Sequence, residues 1–386
     1  MAAGNTTSSG NGTQTQLQTT QTITFLTGTN QVTTTITGTG NFSLPSTSSS
    51  APTATVTNTQ PCNNYPEFCN RKYSNITEVA CHNSPFITPN NVAANQQYDV
   101  ISQLNDGVRL LQAQMQFPSG SSTPHFCHTS CDIYDAGPIT DWLSKVAAWV
   151  ATHPYDVVTI LLGNGDYSSA SKYVPYIEDS GILRYIYTPP KAPMYLEDWP
   201  TLGEMVLQGK RVVMWMDYVA EQDKYPWLFD EFPQMSETPF DPTNNSFPCN
   251  IQRPPDLPEN DVKNRLYMMN HNLNIELKLL GIQMPVPARS ELNVTNGQEG
   301  FGSLGLSVDG CVNMWGRPPN FLNVDYYNYG NKPGSVFEVA ARMNKVEYKR
   351  PCCGPEVKSA APPMFSRSTG VIAYMAAVFG GFCLYL

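Results

Sequence analysis

Short apolar, strand-like runs recur through residues 62–350, and helix-like stretches fall between several of them. The runs are 76–81, 108–117, 125–128, 156–163, 211–217, 265–270 and 321–327. Residues 138–152 carry Ile139, Leu143, Val146, Ala147 and Val150 close to helical spacing, and Pro138 suits a first turn. Segments 201–208 and 335–344 read as two more helices. Strands alternating with helices imply a parallel sheet, because each parallel return needs a crossover. A span of about 290 residues suits an α/β fold, a (β/α)8 barrel of the TIM type, distorted or incompletely closed. Composition alone does not separate that barrel from an open, doubly wound sheet.

Three units are expected: a stalk over 1–60, the barrel over 61–350, and a linker with an anchor signal over 351–386. Residues 1–60 contain no Asp, Glu, Lys or Arg and are mostly Thr, Ser, Asn, Gly and Gln. Such a segment has too little apolar surface to offset its ordering entropy, so it is expected to be disordered and O-glycosylated. Interleaved Ile, Val, Phe and Thr near 22–37 give it a local β tendency. Residues 1–21 have neither the basic nor the apolar part of a secretory signal. Either the signal has been removed or the start of the chain is misassigned. At the other end, Ser359, Ala360 and Ala361 precede a polar spacer, 362–370, and an uncharged apolar tail, 371–386. This is the layout of a glycosylphosphatidylinositol signal, with attachment at Ser359. A single membrane span needs about 20 apolar residues, and this tail is shorter.

The net charge of -9 and the lack of a basic run argue against nucleic acid as the main partner and against strong electrostatic docking on anionic membrane. Of the 10 cysteines, Cys62 and Cys69 lie close together in a turn-rich stretch, and Cys127 and Cys131 bracket a His. Cys249 and Cys311 are far apart, and Cys352 and Cys353 are adjacent. No matching C-x-x-C pairs occur, so disulfides in an oxidising compartment are expected rather than a zinc site. N-x-Ser/Thr triplets at Asn5, Asn11, Asn41, Asn75, Asn244 and Asn293 agree with secretion.

In a β/α barrel, catalytic groups stand at the C-terminal ends of strands. That rule selects few titratable residues. His82 ends the first run, in Ala80-Cys81-His82-Asn83-Ser84, and His128 ends the third, in His125-Phe126-Cys127-His128-Thr129-Ser130-Cys131. Asp217 ends 211–217, His271 follows Asn270, and Asp325 lies in Asn323-Val324-Asp325-Tyr326. Two His on neighbouring strands supply what acid–base chemistry needs, one group to take a proton and one to give it. Asp217 and Tyr218 are candidates for binding substrate hydroxyls. Arg109 alternates with Gln112 and Gln114 and so faces the other side of the strand. Asp135, before Gly137-Pro138, reads as a helix cap. Trp142, Trp149 and Trp199 read as packing.

The run from Ile76 to Phe86 resembles the opening strand of the phosphatidylinositol-specific phospholipase C catalytic domain, whose first His lies in a His-Asn or His-Asp pair. Gly107-Val108-Arg109-Leu110-Leu111-Gln112-Ala113-Gln114 is similar to its second strand, and Cys127-His128-Thr129-Ser130-Cys131 supplies the second His. Trp199-Pro200-Thr201-Leu202-Gly203-Glu204-Met205, Gly209-Lys210-Arg211-Val212-Val213, Asn270-His271-Asn272-Leu273-Asn274 and Asn320-Phe321-Leu322-Asn323-Val324-Asp325 extend the likeness over 62–345, to a fungal secreted branch. The resemblance implies two-His cleavage of a lipid phosphodiester. His82 would be the base on the inositol 2-hydroxyl, His128 the acid on the departing diacylglycerol oxygen, and Asp325 the carboxylate that orients His82. The product would be a cyclic inositol phosphate.

The departures concern charge. Asn83 stands where the bacterial enzymes place an Asp, and Gln114 where they place a phosphate-neutralising Arg. Animal enzymes hold calcium with acids on that strand, where this chain has Gln112 and Gln114. Asn83, Gln114, Asp217 and Tyr218 are therefore expected to bind substrate without a metal or cofactor. The expected protein is a monomer that meets phospholipid or another phosphodiester and reaches the membrane through a lipid anchor. The alternative is a catalytically impaired barrel serving as a cell-surface or cell-wall binding module, because the fold does not decide function.

Overall fold

The computed structural model describes residues 59–87, 91–279 and 282–354, together with the backbone of 21–27 and 30–36. Its main sheet holds eight parallel strands: β1 (Glu78–Cys81), β2 (Leu110–Gln116), β3 (Val158–Gly163), β4 (Val212–Met216), β5 (Leu228–Asp230), β6 (Met235–Glu237), β7 (Leu266–Asn270) and β8 (Phe321–Val324). Each pairs with the next in chain order except β5 with β6, and β8 closes back onto β1, from Phe321↔Glu78 to Val324↔Cys81. The result is the expected barrel, open along one seam. The seam has a simple cause. A parallel ladder between successive strands needs a crossover of a dozen or more residues. Only residues 231–234 separate β5 from β6.

Among the helices are α1 (Val100–Asp106), α2 (Ile139–Thr152), α3 (Leu202–Gln208), α4 (Leu304–Trp315) and α5 (Ser335–Asn344). Thr201 and Glu204 start α3 with reciprocal side-chain-to-backbone bonds, so the sequence marks its first turn. The strands are buried on both faces, as a covered parallel sheet requires. One face packs under the helices. The other fills the barrel, which is apolar at its base, where Leu110, Leu161, Trp215, Phe229 and Phe321 pack with Trp199.

Toward the mouth the interior becomes polar. Asn323 Nδ2 donates to Gln112 Oε1 and to Asn270 Oδ1, each at 3.0 Å. Asn270 Nδ2 donates to Glu237 Oε2 at 3.0 Å, and Arg253 Nη1 donates to the same oxygen at 3.1 Å. These buried N–H groups persist because each finds an acceptor. The chain of bonds runs across four strands and forms a floor beneath the site.

Two expectations need correction. Run 125–128 is not a barrel strand: His125–Cys127 pairs antiparallel with the end of β2, Gln116↔His125, and with Asp135–Pro138. It is a hairpin excursion between β2 and α2. Asp135 does not cap α2. Its carboxylate accepts from His125 Nδ1 and Gly137 N, and the cap position is Pro138, which makes no side-chain bond. Gln21–Thr27 and Asn30–Ile36, where the sequence shows a local β tendency, pair antiparallel, and the other residues of 1–58 lie outside the described residues. Ser359 and the apolar tail lie outside the described residues. Disulfides join Cys62 to Cys69, Cys127 to Cys131, Cys249 to Cys311 and Cys352 to Cys353, while Cys81 is a buried free thiol. No helix among the described residues is long and apolar enough to cross a membrane.

Candidate active site

A cavity of about 680 Å³ opens at the C-terminal ends of the strands. Six residues singled out in the sequence line it: His82, Asn83, Gln114, His128, Asp217 and Tyr218. The seventh, Asp325, stands behind His82. Its Oδ1 accepts from His82 Nδ1 at 2.8 Å and from Asn95 Nδ2 at 2.8 Å. That bond fixes the imidazole with Nδ1 protonated and Nε2 directed at the cavity, where Asn83 Nδ2 lies 3.1 Å away. Burial alone would lower the pKa of His82. Asp325, through its charge and its hydrogen bond, outweighs burial, and Asp241 and Glu237 add to it, so the pKa is raised.

His128 is held differently. Its Nδ1 donates to Ala93 O at 2.5 Å, and its ring stacks on Phe86 with centroids 5.1 Å apart. Its backbone N–H donates to Tyr134 O at 2.9 Å, and Gln116 Nε2 donates to Thr129 O at 3.2 Å. The Cys127–Cys131 disulfide closes this turn, in which Thr129 has a φ of 62°. Burial, then the neighbouring His82, push the His128 pKa down to about 4, against the weaker pull of the Ala93 carbonyl. The two surroundings thus act in opposite directions, raising the pKa of His82 and lowering that of His128.

The rest of the cavity wall carries little net positive charge. Gln114 lies across Gly163 on β3, so closely that a Cβ built there would meet Gln114 Oε1 at 2.3 Å. Only glycine admits this approach. Arg253, from the β6–β7 connection, is a cavity residue the sequence reading missed. It reaches Glu237 at 3.1 Å, Tyr218 Oη at 3.0 Å and Asp217 at 3.6 Å, and its guanidinium lies against Phe232 and Phe240. Burial would lower its pKa, but Glu237, Glu231, Tyr218 and Asp217 together raise it. Its charge is therefore held, and largely balanced, by carboxylates. Burial lifts the Asp217 pKa to about 6, although Asn164 N donates to it at 2.7 Å. Asp241, a second missed residue, also lines the cavity, and burial raises its pKa while His82 lowers it. Arg109 stands elsewhere, at the opposite end of β2, bonded to Leu104 O, Val108 O and Asp156.

The family model described as PI-PLC X 1 matches residues 68–344. This chain belongs to the PI-PLC X family. It is 50% identical over 314 residues to an uncharacterized secreted protein of Arthroderma benhamiae, covering 81% of this chain and 71% of that one. It is 37% identical to PI-PLC X domain-containing protein 1 of the same organism, covering 70% and 86% respectively. Among solved structures, the phosphatidylinositol-specific phospholipase C from Listeria monocytogenes aligns with a TM-score of 0.49 at 10% identity, over 76% of this chain and 98% of that one.

Within this PI-PLC X chain, the residues of β2 do not suit calcium. Calcium takes oxygen ligands with carboxylates among them, whereas Gln112 is buried with its Oε1 already accepting from Asn323 and Gln114 is a neutral amide. No cluster of three or more His, Cys, Asp or Glu suited to a metal occurs among the described residues. Asn83 in this PI-PLC X site has a left-handed backbone, φ 48°, and places an amide beside His82 rather than a carboxylate beside His128.

Proposed function

We propose that this chain is an extracellular phosphoric diester hydrolase or lyase of the phosphatidylinositol-specific phospholipase C type, working without metal. The observation that carries the reading is the pair of imidazoles on one cavity, each held through Nδ1, with the Asn83 amide 3.1 Å from His82 Nε2 where a substrate hydroxyl would take its place. His82 Nε2 takes the proton of the inositol 2-hydroxyl, whose oxygen bonds phosphorus. The phosphorus–oxygen bond to diacylglycerol breaks, and His128 Nε2–H gives that oxygen its proton. Asp325 stabilises the His82 imidazolium so formed. Asp217, Tyr218 and Arg253 meet the ring hydroxyls.

With its pKa pushed down to about 4, His128 must gain a proton before this step. An anionic phosphodiester beside His128 favours its charged form, so binding itself promotes that gain. Gln114 adds no charge to the phosphate, so Gln114→Arg raises the rate where its side chain reaches that group.

The experiment is turnover of the secreted core on phosphatidylinositol, with calcium and with chelator. A cyclic phosphate product is expected in both, at a rate lower on the order of 10³-fold for His82→Ala or His128→Ala. Activity lost in chelator and restored by calcium removes the metal-independent mechanism. The charge-balanced Arg253 and the neutral Gln114 favour a second reading, a binding module. Headgroup binding without turnover under any of these conditions would establish it. Surface attachment at Ser359 is tested separately, by release of the protein from cells with an anchor-cleaving phospholipase and by the absence of 371–386 from the mature chain.

A further inference from the structure

We infer that Asn244 and Asn293 carry N-linked glycans, and that these stand at the cavity rim and hold it off a flat bilayer surface. Asn244 follows β6 and Asn293 follows β7, so both lie on connections that leave the C-terminal ends of strands, where the cavity opens. Asn244 is three residues beyond Asp241, which lines the cavity, and Asn274 N donates to Pro242 O at 2.9 Å in the same loop. Asn293 precedes Thr295, whose carbonyl accepts from His271 Nε2 at 2.9 Å. Phe247 packs on that His271 ring with centroids 3.7 Å apart. Asn245 lies against Gly302, where a Cβ would meet its carbonyl at 3.3 Å. The Cys249–Cys311 disulfide ties the first loop to α4. The two triplets therefore ride on adjoining, pinned loops of the catalytic face. Asn75 precedes β1 and sits at the other end of the barrel.

Both acceptor side chains are exposed. Asn244 Oδ1 accepts from Ser246 N at 2.9 Å, an Asx turn that engages the oxygen and leaves the amide nitrogen for the sugar. In the transfer, the Asn Nδ2 bonds the anomeric carbon of a lipid-diphosphate-linked oligosaccharide. The anomeric carbon–oxygen bond breaks, the lipid diphosphate leaves with its electron pair, and the amide gives up one proton. Val294 and Phe301, 48% and 67% exposed, lie on the Asn293 segment and give the sugar an apolar footing. Rim loops bearing two such groups cannot press into a headgroup layer. A headgroup that projects from the surface still reaches the cavity.

Only this last consequence rests on the lipid phosphodiesterase reading, and neither assay below requires turnover. The protein, produced in a eukaryotic host and freed of any lipid anchor with an anchor-cleaving phospholipase, is treated with peptide N-glycosidase in heavy-oxygen water. Labelled aspartate is expected at 244 and at 293 by peptide mass. The folded protein is then sedimented with phosphatidylcholine vesicles containing phosphatidylinositol, before and after endoglycosidase trimming. Several-fold more protein is expected on the vesicles after trimming, and likewise for N244Q/N293Q, while N75Q behaves as wild type. An unlabelled asparagine at either position, or equal sedimentation before and after trimming, would overturn the inference.

Discussion

His82 and His128 reach one cavity from different kinds of backbone. His82 directly follows β1, whose ladders to β8 and β2 fix its position, and its ring is then oriented by Asp325 at 2.8 Å. His128 stands on a hairpin excursion whose ladder to the barrel, among the described residues, is at the end of β2. It needs a disulfide, a carbonyl acceptor and an aromatic stack to hold one ring. A strand-end residue is positioned by sheet register, which many other residues share. An excursion residue is positioned by its own ties, and each tie can be cut without unfolding the barrel. The electrostatic difference follows: the carboxylate behind His82 outweighs burial and raises its pKa, while burial and then the charge of His82 push that of His128 down to about 4 against the Ala93 carbonyl.

The comparison is tested most severely at the rings themselves. His82→Ala and His128→Ala are each expected to lower turnover on the order of 10³-fold, within the range of general acid–base catalysis. A substrate with a better leaving group should recover part of the loss in His128→Ala and none in His82→Ala, because only the acid's task becomes dispensable. Equal recovery in both would reverse or dissolve the assigned roles. Asp325→Asn comes next, at about 10²-fold, since the amide disturbs the tautomer and removes the charge beside the imidazolium. The same change should move the His82 titration to lower pH, read by NMR of the ring protons. An unmoved titration would mean that Asp325 is not what raises it.

A smaller effect is expected at the brace. Cys127→Ser with Cys131→Ser should cost about tenfold in kcat with KM nearly unchanged, because a misplaced acid loses reaction geometry before it loses binding. The melting temperature should change little, since the bridge spans only a short turn. A loss of the whole fold would contradict the separation of the excursion from the barrel.

Much of this was legible because strands with long apolar runs announce themselves. β2, β3, β4, β7 and β8 each lie inside a recognised run, and β1 ends where the first run ends. β5 and β6 were not legible. Each has three residues, and Pro226, Trp227 and Pro233 crowd a stretch without alternation. Arg253 was missed for a related reason. It sits between Gln252 and Pro254-Pro255 in a long connection, where sequence indicates a loop but not where the loop folds back. The sole signal was an isolated basic residue in a Pro-rich segment. Gln112 and Gln114 were read together, as neutral amides where calcium-dependent relatives carry acids, yet only Gln114 lines the cavity, and the oxygen of Gln112 is taken by Asn323 in the polar floor. A side chain's parity on a strand is readable, but its depth along the barrel is not.

His271 offers the mildest change and the cleanest contrast with the other two rings. It is buried, donates Nε2 to Thr295 O at 2.9 Å and packs on Phe247, and it does not line the cavity. Burial pushes its pKa down to about 3. An unfolded His titrates near 6.5, so between those values the unfolded chain binds the extra proton and stability falls with pH. His271 therefore contributes stability that is fully present above pH 6.5 and is lost as pH drops toward 3, by about 2 kcal/mol between pH 7 and 5. His128 acts in the same direction with a folded pKa of about 4. His82 acts oppositely: its pKa is raised, so its contribution is present below 6.5 and disappears as pH rises through the folded value. His271→Gln should keep a donor for Thr295 while removing the titration. Denaturant unfolding at pH 7 and 5 should then show a smaller acid loss than wild type, with turnover within twofold. An unchanged acid loss would place the titration elsewhere, and a large drop in turnover would bring His271 into the site from which its position excludes it.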